Sequence, residues 1–303
     1  MNEVKKYETW NRYQGSNWNS EHGFKYILQL EDNHLVEAGY FIHYHNGKII
    51  KSVIELPSSL GCPMKCKFCA AFAIPFIRKL NVEEELMIFN HIYQSTALLA
   101  QSPLIISFMG IGDLFFTINT VEKTILDICN RHNDIQFTVS SCHWTTEMFT
   151  RIQELYNKAM FRAVQITYIS YKKDILYNVI DYFNLTQTDC YFESIVNCIK
   201  ESPIAKFRIN YLLLSHINDS QEDFLTFISL IAPLKDKILV RISRLNITKA
   251  CEINRISVSS LEKMEELKIL LEDNGIQAYL FYAINNDKIG CGQLLSETYL
   301  QDF

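Results

Sequence analysis

The sequence predicts an α/β fold, a partial (β/α)6 barrel with a small N-terminal β extension and a short C-terminal extension. Three observations predict it. Between residues 49 and 283, apolar runs of strand length alternate with segments of helical period, the pattern of a parallel sheet wrapped by helices. The run "LIISFMG" (104–110) is apolar throughout, as a strand buried on both faces should be. Small polar residues and glycines follow the strand runs, at the end where parallel barrels and open α/β sheets carry their chemistry.

Each element follows in order. Residues 1–22 are polar and aromatic and read as an arm or poorly ordered lead. "GFKYILQL" and "HLVEAGYFIHYH" alternate enough for a two-stranded hairpin, "NGK" (46–48) is a turn signal, and "IIKSVIELP" is a strand. A cysteine-rich loop comes next. In "NVEEELMIFNHIYQSTALLA", Asn81 followed by Glu84 is a capping-box pattern opening a helix. Strand 104–110, helix 119–131, strand 135–141, helix 144–158 and strand 162–169 follow, with further helices within 172–201. Strand 207–214, a helix opened by Asp219 and Glu222, strand 238–245, a helix over 259–273, strand 276–283 and a short tail complete the chain. The expected division is an N-terminal arm and β extension (1–48) and a barrel with a C-terminal strand and the Cys291 loop (49–303).

The 303 residues are 48% hydrophobic and 13% aromatic, enough to bury a large core. A net charge of −5 lacks the overall basic excess that favours nucleic acid, although a local patch could serve. No apolar run reaches the ~18 residues of a membrane span, and the start has no apolar signal-peptide core, so a cytoplasmic protein with no membrane partner is expected. In a reducing compartment, nine cysteines, an odd number and partly clustered, point to metal binding or chemistry.

The stretch "SSLGCPMKCKFCAAF" (58–72) holds Cys62, Cys66 and Cys69 in a C-x₃-C-x₂-C spacing. A closed zinc site or an ordinary iron–sulfur cluster takes four ligands. Three thiolates imply a remote fourth ligand or a metal with an open position. The following strands end in Gly110, Gly112 and Asp113, in Ser140, in Thr167 and in Asn246. Glycines there let a ligand approach the backbone, and the aspartate can accept bonds from an ammonium or hydroxyl. Taken singly, each of these is a helix cap or turn residue; together they line one end of the expected barrel. Lys65, Lys67, Arg78 and Lys79 flank the cysteine loop, as a phosphate contact or a solvated face.

With an aromatic, Phe68, before its last cysteine, the loop resembles the signature of the radical-SAM superfamily, a resemblance covering residues 50–295. Within it, the chain resembles the RNA adenine methyltransferases of the RlmN and Cfr type. "SSLGCPMKCKFCAA", "MGIGDLFFTINTV", "FTVSSC", "YLLLSHINDS", the asparagine of "RISRLN" and "GCGQL" (290–294) match that family's motifs in order. The resemblance implies a [4Fe–4S] cluster on Cys62, Cys66 and Cys69. It implies S-adenosylmethionine held by Phe68, Gly110, Gly112, Asp113, Ser140, Thr167 and Asn246, and a reductase or flavodoxin-type electron donor. Cys291 falls on the cysteine that the family methylates and from which a methylene radical adds to adenine C2 or C8. Glu37, in "LVEAGY", falls on a glutamate assigned to proton transfer, although a solvated surface glutamate reads the same way.

Departures accompany the match. Glu55 stands where the family has its second catalytic cysteine, and a carboxylate cannot form the disulfide that releases the product. It could be a base, a partner for a cationic substrate group, or a solvent-facing residue at the strand end. The family's S-L-H is "TYI" here, with Thr167 and Ile169. About 50 residues precede the barrel, where the bacterial ribosomal enzymes carry a helical RNA-binding domain. The substrate could thus be RNA, a small molecule or a peptide. Methyl or methylene transfer through Cys291 leads. Hydrogen abstraction or rearrangement on a small molecule or peptide is the alternative, followed by a non-catalytic iron–sulfur or zinc redox sensor.

Overall fold

The computed structural model describes residues 1–14, 19–96, 103–186, 192–284 and 290–300. Four strands open the chain: β1 (Asn2–Gln14), β2 (Ser20–Gln29), β3 (Leu35–His45) and β4 (Lys48–Glu55). Two short strands, β5 (Ser59–Leu60) and β6 (Arg78–Lys79), pair with each other. Then come α1 (Val82–Thr96), β7 (Leu104–Phe108), α2 (Leu114–Arg131), β8 (Gln136–Ser141), α3 (Thr146–Tyr156) and β9 (Phe161–Tyr168). The helices α4 (Lys173–Val179), α5 (Asp181–Thr186) and α6 (Phe192–Glu201) lead to β10 (Phe207–Leu213), α7 (Gln221–Ile231) and β11 (Ile238–Arg244). Last are α8 (Lys249–Asn254), α9 (Leu261–Asp273), β12 (Ala278–Ala283) and α10 (Gln293–Leu300).

Strands β4 and β7 to β12 run parallel, as the alternation predicts. The sheet nevertheless goes further than a partial barrel. It closes in the order β1-β12-β11-β10-β9-β8-β7-β4-β3-β2. The expected arm at residues 1–22 is corrected: Asn2–Gln14 is a long strand, antiparallel to β2 and paired with β12 at Tyr13 and Gln14. Its inward residues Thr9, Asn11 and Tyr13 are buried while Glu8, Trp10 and Arg12 are exposed. Two of those three buried residues are polar, so the strand shows no alternation of hydrophobicity.

Other elements stand close to expectation. Asn46 and Gly47, both at positive φ (48° and 77°), make the β3–β4 turn, so the sheet is continuous across residue 48. At α1, Asn81 Oδ1 accepts from Glu84 N and Glu84 Oε2 from Asn81 N (2.9 Å each), the reciprocal capping box. Ser220, not Asp219, caps α7, again in a box with Asp223. Helix α2 starts five residues earlier than its apolar period suggests, at Leu114, because Asp113 caps it.

The main apolar core lies between the sheet and the helices, around Phe89, Ile106, Phe137, Tyr211 and Phe227. A second cluster covers the carboxyl end of the barrel and includes Cys62, Met64, Cys66, Ile180, Phe183 and Leu294. Inside the barrel lies a cavity of about 540 Å³. A parallel barrel of this kind is ordinarily filled by branched apolar side chains. Here Lys51, Glu55, Ser107, Thr138, Arg208 and Arg241 line it alongside Phe41, Val53, Ile105 and Leu239.

Candidate active site

The cysteine loop leaves β4 and is pinched at its base by the β5–β6 pair. Gly61 has φ +69°, and a Cβ there would sit 2.1 Å from the Pro75 carbonyl oxygen, so the turn admits only glycine. Lys65 Nζ donates to the carbonyls of Phe72 and Ile74 (2.9 Å each) and ties the loop across its middle. Outside, Lys67 N donates to Val179 O (2.9 Å) and Tyr182 N to Met64 O (3.1 Å), seating the loop on α4 and α5. From α8, Asn254 Nδ2 bonds Lys67 O (3.1 Å) and Cys251 Sγ bonds Phe68 O (3.3 Å). The basic flank is mostly engaged within the chain: Lys67 pairs with Asp181 at 3.2 Å, and Arg78 with Asp32 and Glu84.

Burial, then the neighbouring Cys66, pushes the Cys62 thiol well above its ordinary pKa and the Cys69 thiol up to about 12. Cys142, just past β8, lies within hydrogen-bonding reach of Cys66 and donates to Asp113 Oδ2 at 3.3 Å. Among the described residues, no three His, Cys, Asp or Glu side chains are grouped around a single ion position.

The segment after β7 folds back on the base of this loop. A Cβ on Gly110 would lie 2.5 Å from Leu56 O, and one on Gly112 (φ +126°) 2.2 Å from Ser58 Oγ. Asp113 is both the N-cap of α2 and the hub of the β7 and β8 ends. It accepts from Phe115 N (2.9 Å), Ser141 Oγ (2.5 Å) and Cys142 N (3.1 Å). Burial raises its pKa against these bonds. Ser140 Oγ accepts from Gln165 Nε2 at 3.1 Å, Thr167 is in register with Asn210, and Asn246 lines the cavity just past β11. Gln165, Asn210 and Ser243 add a polar band across β9 to β11; Ser243 Oγ bonds Asn210 Oδ1 at 2.5 Å. None of these three was expected, and the only signal was a polar residue at every second position of a strand.

The Cys291 loop is held by a buried ion pair. Glu37 Oε1 accepts from Lys25 Nζ (2.5 Å) and Gly292 N (3.0 Å), and Oε2 from Leu295 N (2.8 Å). Lys25 Nζ also donates to Gly290 O at 2.7 Å. Glu37 is 3% exposed and Lys25 0%, which corrects the surface reading of Glu37. Lys25 was not singled out, since one lysine in an alternating strand reads as a solvated face. Gly292, at φ +78°, seats the loop against Ala71, beside the cysteine loop. Glu55 is not a solvent-facing strand end either: it lines the cavity with Cys291 and lies 4.0 Å from Lys25. Burial raises its pKa to about 7, with Lys25 opposing. Burial, then Glu55, pushes the Cys291 thiol well up.

No family model matches the sequence. Curated relatives do. The chain is 23% identical over 285 residues to the probable dual-specificity RNA methyltransferase RlmN of Aquifex aeolicus, covering 90% of this chain and 76% of that protein. It is 24% identical over 277 residues to the Pseudothermotoga lettingae protein of the same name, covering 89% and 75%. Among solved structures, a radical SAM methyltransferase from Sphaerobacter thermophilus superposes with a TM-score of 0.72 at 16% identity, over 94% of this chain and 80% of that one. In sequence the chain is thus similar to RlmN-type RNA methyltransferases, and it shares the fold of a radical SAM methyltransferase.

Such a fold implies a [4Fe–4S] cluster and S-adenosylmethionine as cofactors. The residues present fit them. Cys62, Cys66 and Cys69 offer three soft thiols on one loop, and bound iron would take them as thiolates. Gly110 and Gly112 let the end of β7 pack directly on the backbone and hydroxyls of residues 56–59 at the base of that loop. Among the described residues, no helix is long and apolar enough to cross a membrane.

Proposed function

We propose that this enzyme functionalises an unactivated carbon by methyl or methylene transfer through Cys291. When bound, the cluster and S-adenosylmethionine supply an electron and, from it, a carbon radical able to take hydrogen from an unreactive C–H bond. Cys62, Cys66 and Cys69 would hold the cluster. Phe68, Gly110, Gly112, Asp113, Ser140, Thr167 and Asn246 would hold S-adenosylmethionine, Asp113 by accepting from its ammonium. Cys291 carries the transferred carbon as a thioether and presents it to the lumen. Lys25 and Glu37 fix the loop that carries it. Glu55, titrating near neutrality beside Cys291, takes the proton that leaves the substrate carbon, while a thiol from outside this site supplies the two electrons that cleave the carbon–sulfur bond by forming a disulfide with Cys291. A flavodoxin-type protein or a reductase donates the electron.

One observation carries this reading: the Lys25–Glu37 pair holds Cys291 against the cysteine loop and at the mouth of the same lumen as Glu55. Mass spectrometry of the peptide around Cys291 tests it, after expression with the cofactors. A mass increase of one methyl is expected. An unmodified Cys291, with S-adenosylmethionine cleavage intact in Cys291→Ala, overturns it. The closed polar lumen favours a second reading, hydrogen abstraction from a small molecule lodged there; the same result would support it. RNA, acted on by the relatives named above, remains the substrate class against which a small molecule is to be tested.

A further inference from the structure

The far half of the lumen holds a cluster of cations that the cofactors and Cys291 leave unused. Lys51 is in the first half of β4, Arg162 and Arg208 are second in β9 and β10, and Arg241 is in the middle of β11. All four line the one cavity that Cys291 also lines. Because the strands are parallel, these positions lie toward the amino ends, and Cys291 lies past the carboxyl end of β12. Three of the four come from adjacent strands, and β4 faces them across the barrel.

The charge there is not balanced. Of the two acids lining the cavity, Glu55 lies 4.0 Å from Lys25. That leaves Glu21, which accepts from Tyr13 Oη (3.4 Å) and faces His43 (3.3 Å). Arg208 Nε is buried and has no hydrogen-bond partner among the described residues. The Arg241 guanidinium stacks on Phe281 at 3.7 Å and donates from Nε to Ser243 Oγ (2.9 Å). Burial, then repulsion from Arg208, Arg162 and Arg241, brings the Lys51 ammonium down to about 7. Burial and Glu55 raise the Glu21 carboxyl to about 8, so it neutralises little at neutral pH. Three of these four cations are half-buried and Arg162 is exposed, and like charges gathered at such positions repel unless an anion joins them.

The geometry points to an anion site: Lys51, Arg162, Arg208 and Arg241 bind the phosphate of a small phosphorylated substrate, whose far end reaches toward Cys291. Guanidinium groups meet phosphate oxygens in bidentate fashion. The cavity, about 540 Å³, falls in the ~300–1,000 Å³ range of small-molecule sites. A closed barrel does not admit a polymer chain to its interior, which sets this substrate apart from RNA. The inference names the substrate class for the reaction proposed at Cys291 and rests on that reading for the chemistry, while the anion site stands on its own.

The test uses the reconstituted enzyme with S-adenosylmethionine present, in buffer free of phosphate and sulfate. Inorganic pyrophosphate and adenosine 5′-monophosphate are titrated by calorimetry and by thermal unfolding, with adenosine and an RNA oligonucleotide as controls. Pyrophosphate and the nucleotide should bind and raise the melting temperature, and adenosine should do neither. Arg162→Gln, at an exposed position that tolerates change, and Arg208→Gln should each weaken binding about tenfold or more. Arg208→Lys should keep part of it. Without anion, Arg208→Gln should melt above the wild type, because repulsion is relieved, and this also reports that it folds. Equal binding by wild type and Arg162→Gln, or a melting shift reproduced by equal ionic strength of chloride, overturns the site. Binding confined to the oligonucleotide overturns it as well. Anion binding with an unmodified Cys291 sinks the transfer chemistry and leaves the site standing; a methylated Cys291 without anion binding does the reverse.

Discussion

At the cysteine end of the lumen, buried charges are answered from within the chain. Asp113 accepts from two backbone amides, a hydroxyl and a thiol, and Glu37 from an ammonium and two amides. At the far end, Lys51, Arg162, Arg208 and Arg241 line a cavity that Glu21 also lines. The first arrangement is a scaffold, because each bond fixes a loop that carries chemistry. The second gathers four cations around one cavity, with Arg241 fixed there by its bond to Ser243 and its contact with the Phe281 ring. Hydrogen-bond satisfaction therefore separates groups that position from groups that bind.

Breaking the satisfied end should have the largest effects. Replacing Cys62, Cys66 and Cys69 together with Ala should abolish bound iron and the brown colour; iron analysis reads this, and near-complete retention would remove the cysteines from the site. Removing one partner of the Lys25–Glu37 pair should cost about 3–5 kcal/mol, because the other charge is left buried. Denaturant unfolding of Lys25→Met, Glu37→Gln and Lys25→Met/Glu37→Leu checks it: the double variant should lose much less than the sum of the singles.

Asp113→Ala should keep the iron and weaken S-adenosylmethionine binding about ten- to hundred-fold, the worth of a charge-assisted bond. It should also lower stability by ~1 kcal/mol through the lost α2 cap. Equilibrium binding and melting separate the two, and unchanged affinity would leave Asp113 as a cap alone.

The smallest effect is a pH dependence. Glu55 is raised to about 7 from 4.5 in the folded chain. Between those values the folded state holds a proton that the unfolded state has lost, so stability falls as pH rises through that window and levels off above it. Glu55→Gln should flatten the decline by an amount of order 1–3 kcal/mol. Stability curves at pH 5 and pH 8 measure it; parallel curves for wild type and variant would place Glu55 in water.

The parallel strands, the cysteine loop and the strand ends were legible in the sequence because their signals are local. "LIISFMG" is apolar on both faces, and Asn81 and Glu84 sit at capping distance. Strand β1 was not legible, because Thr9 and Asn11 point into a polar lumen and the strand shows no alternation of hydrophobicity. The same cause hid Lys25, Gln165, Asn210 and the four cations: on a strand, an inward polar residue looks like an outward one until the barrel is known to close. Asp113 was read two ways, as a cap and as a ligand. The structure shows the cap, with a hydroxyl, a thiol and a second backbone amide also bonded to the same carboxylate.

The barrel is closed by pairing Tyr13 and Gln14 with Ala283 and Tyr282, while β1 lies along most of β2. The seam thus joins the two ends of the chain. Contacts of such sequence separation form late, after the entropy of a very long loop has been overcome. During synthesis, β1 can lie on β2 and the cysteine loop can seat on α4 and α5 long before β12 exists. The lumen stays open along one side until the last strand arrives, so closure and docking of the Cys291 loop are the final events in the maturation of this enzyme.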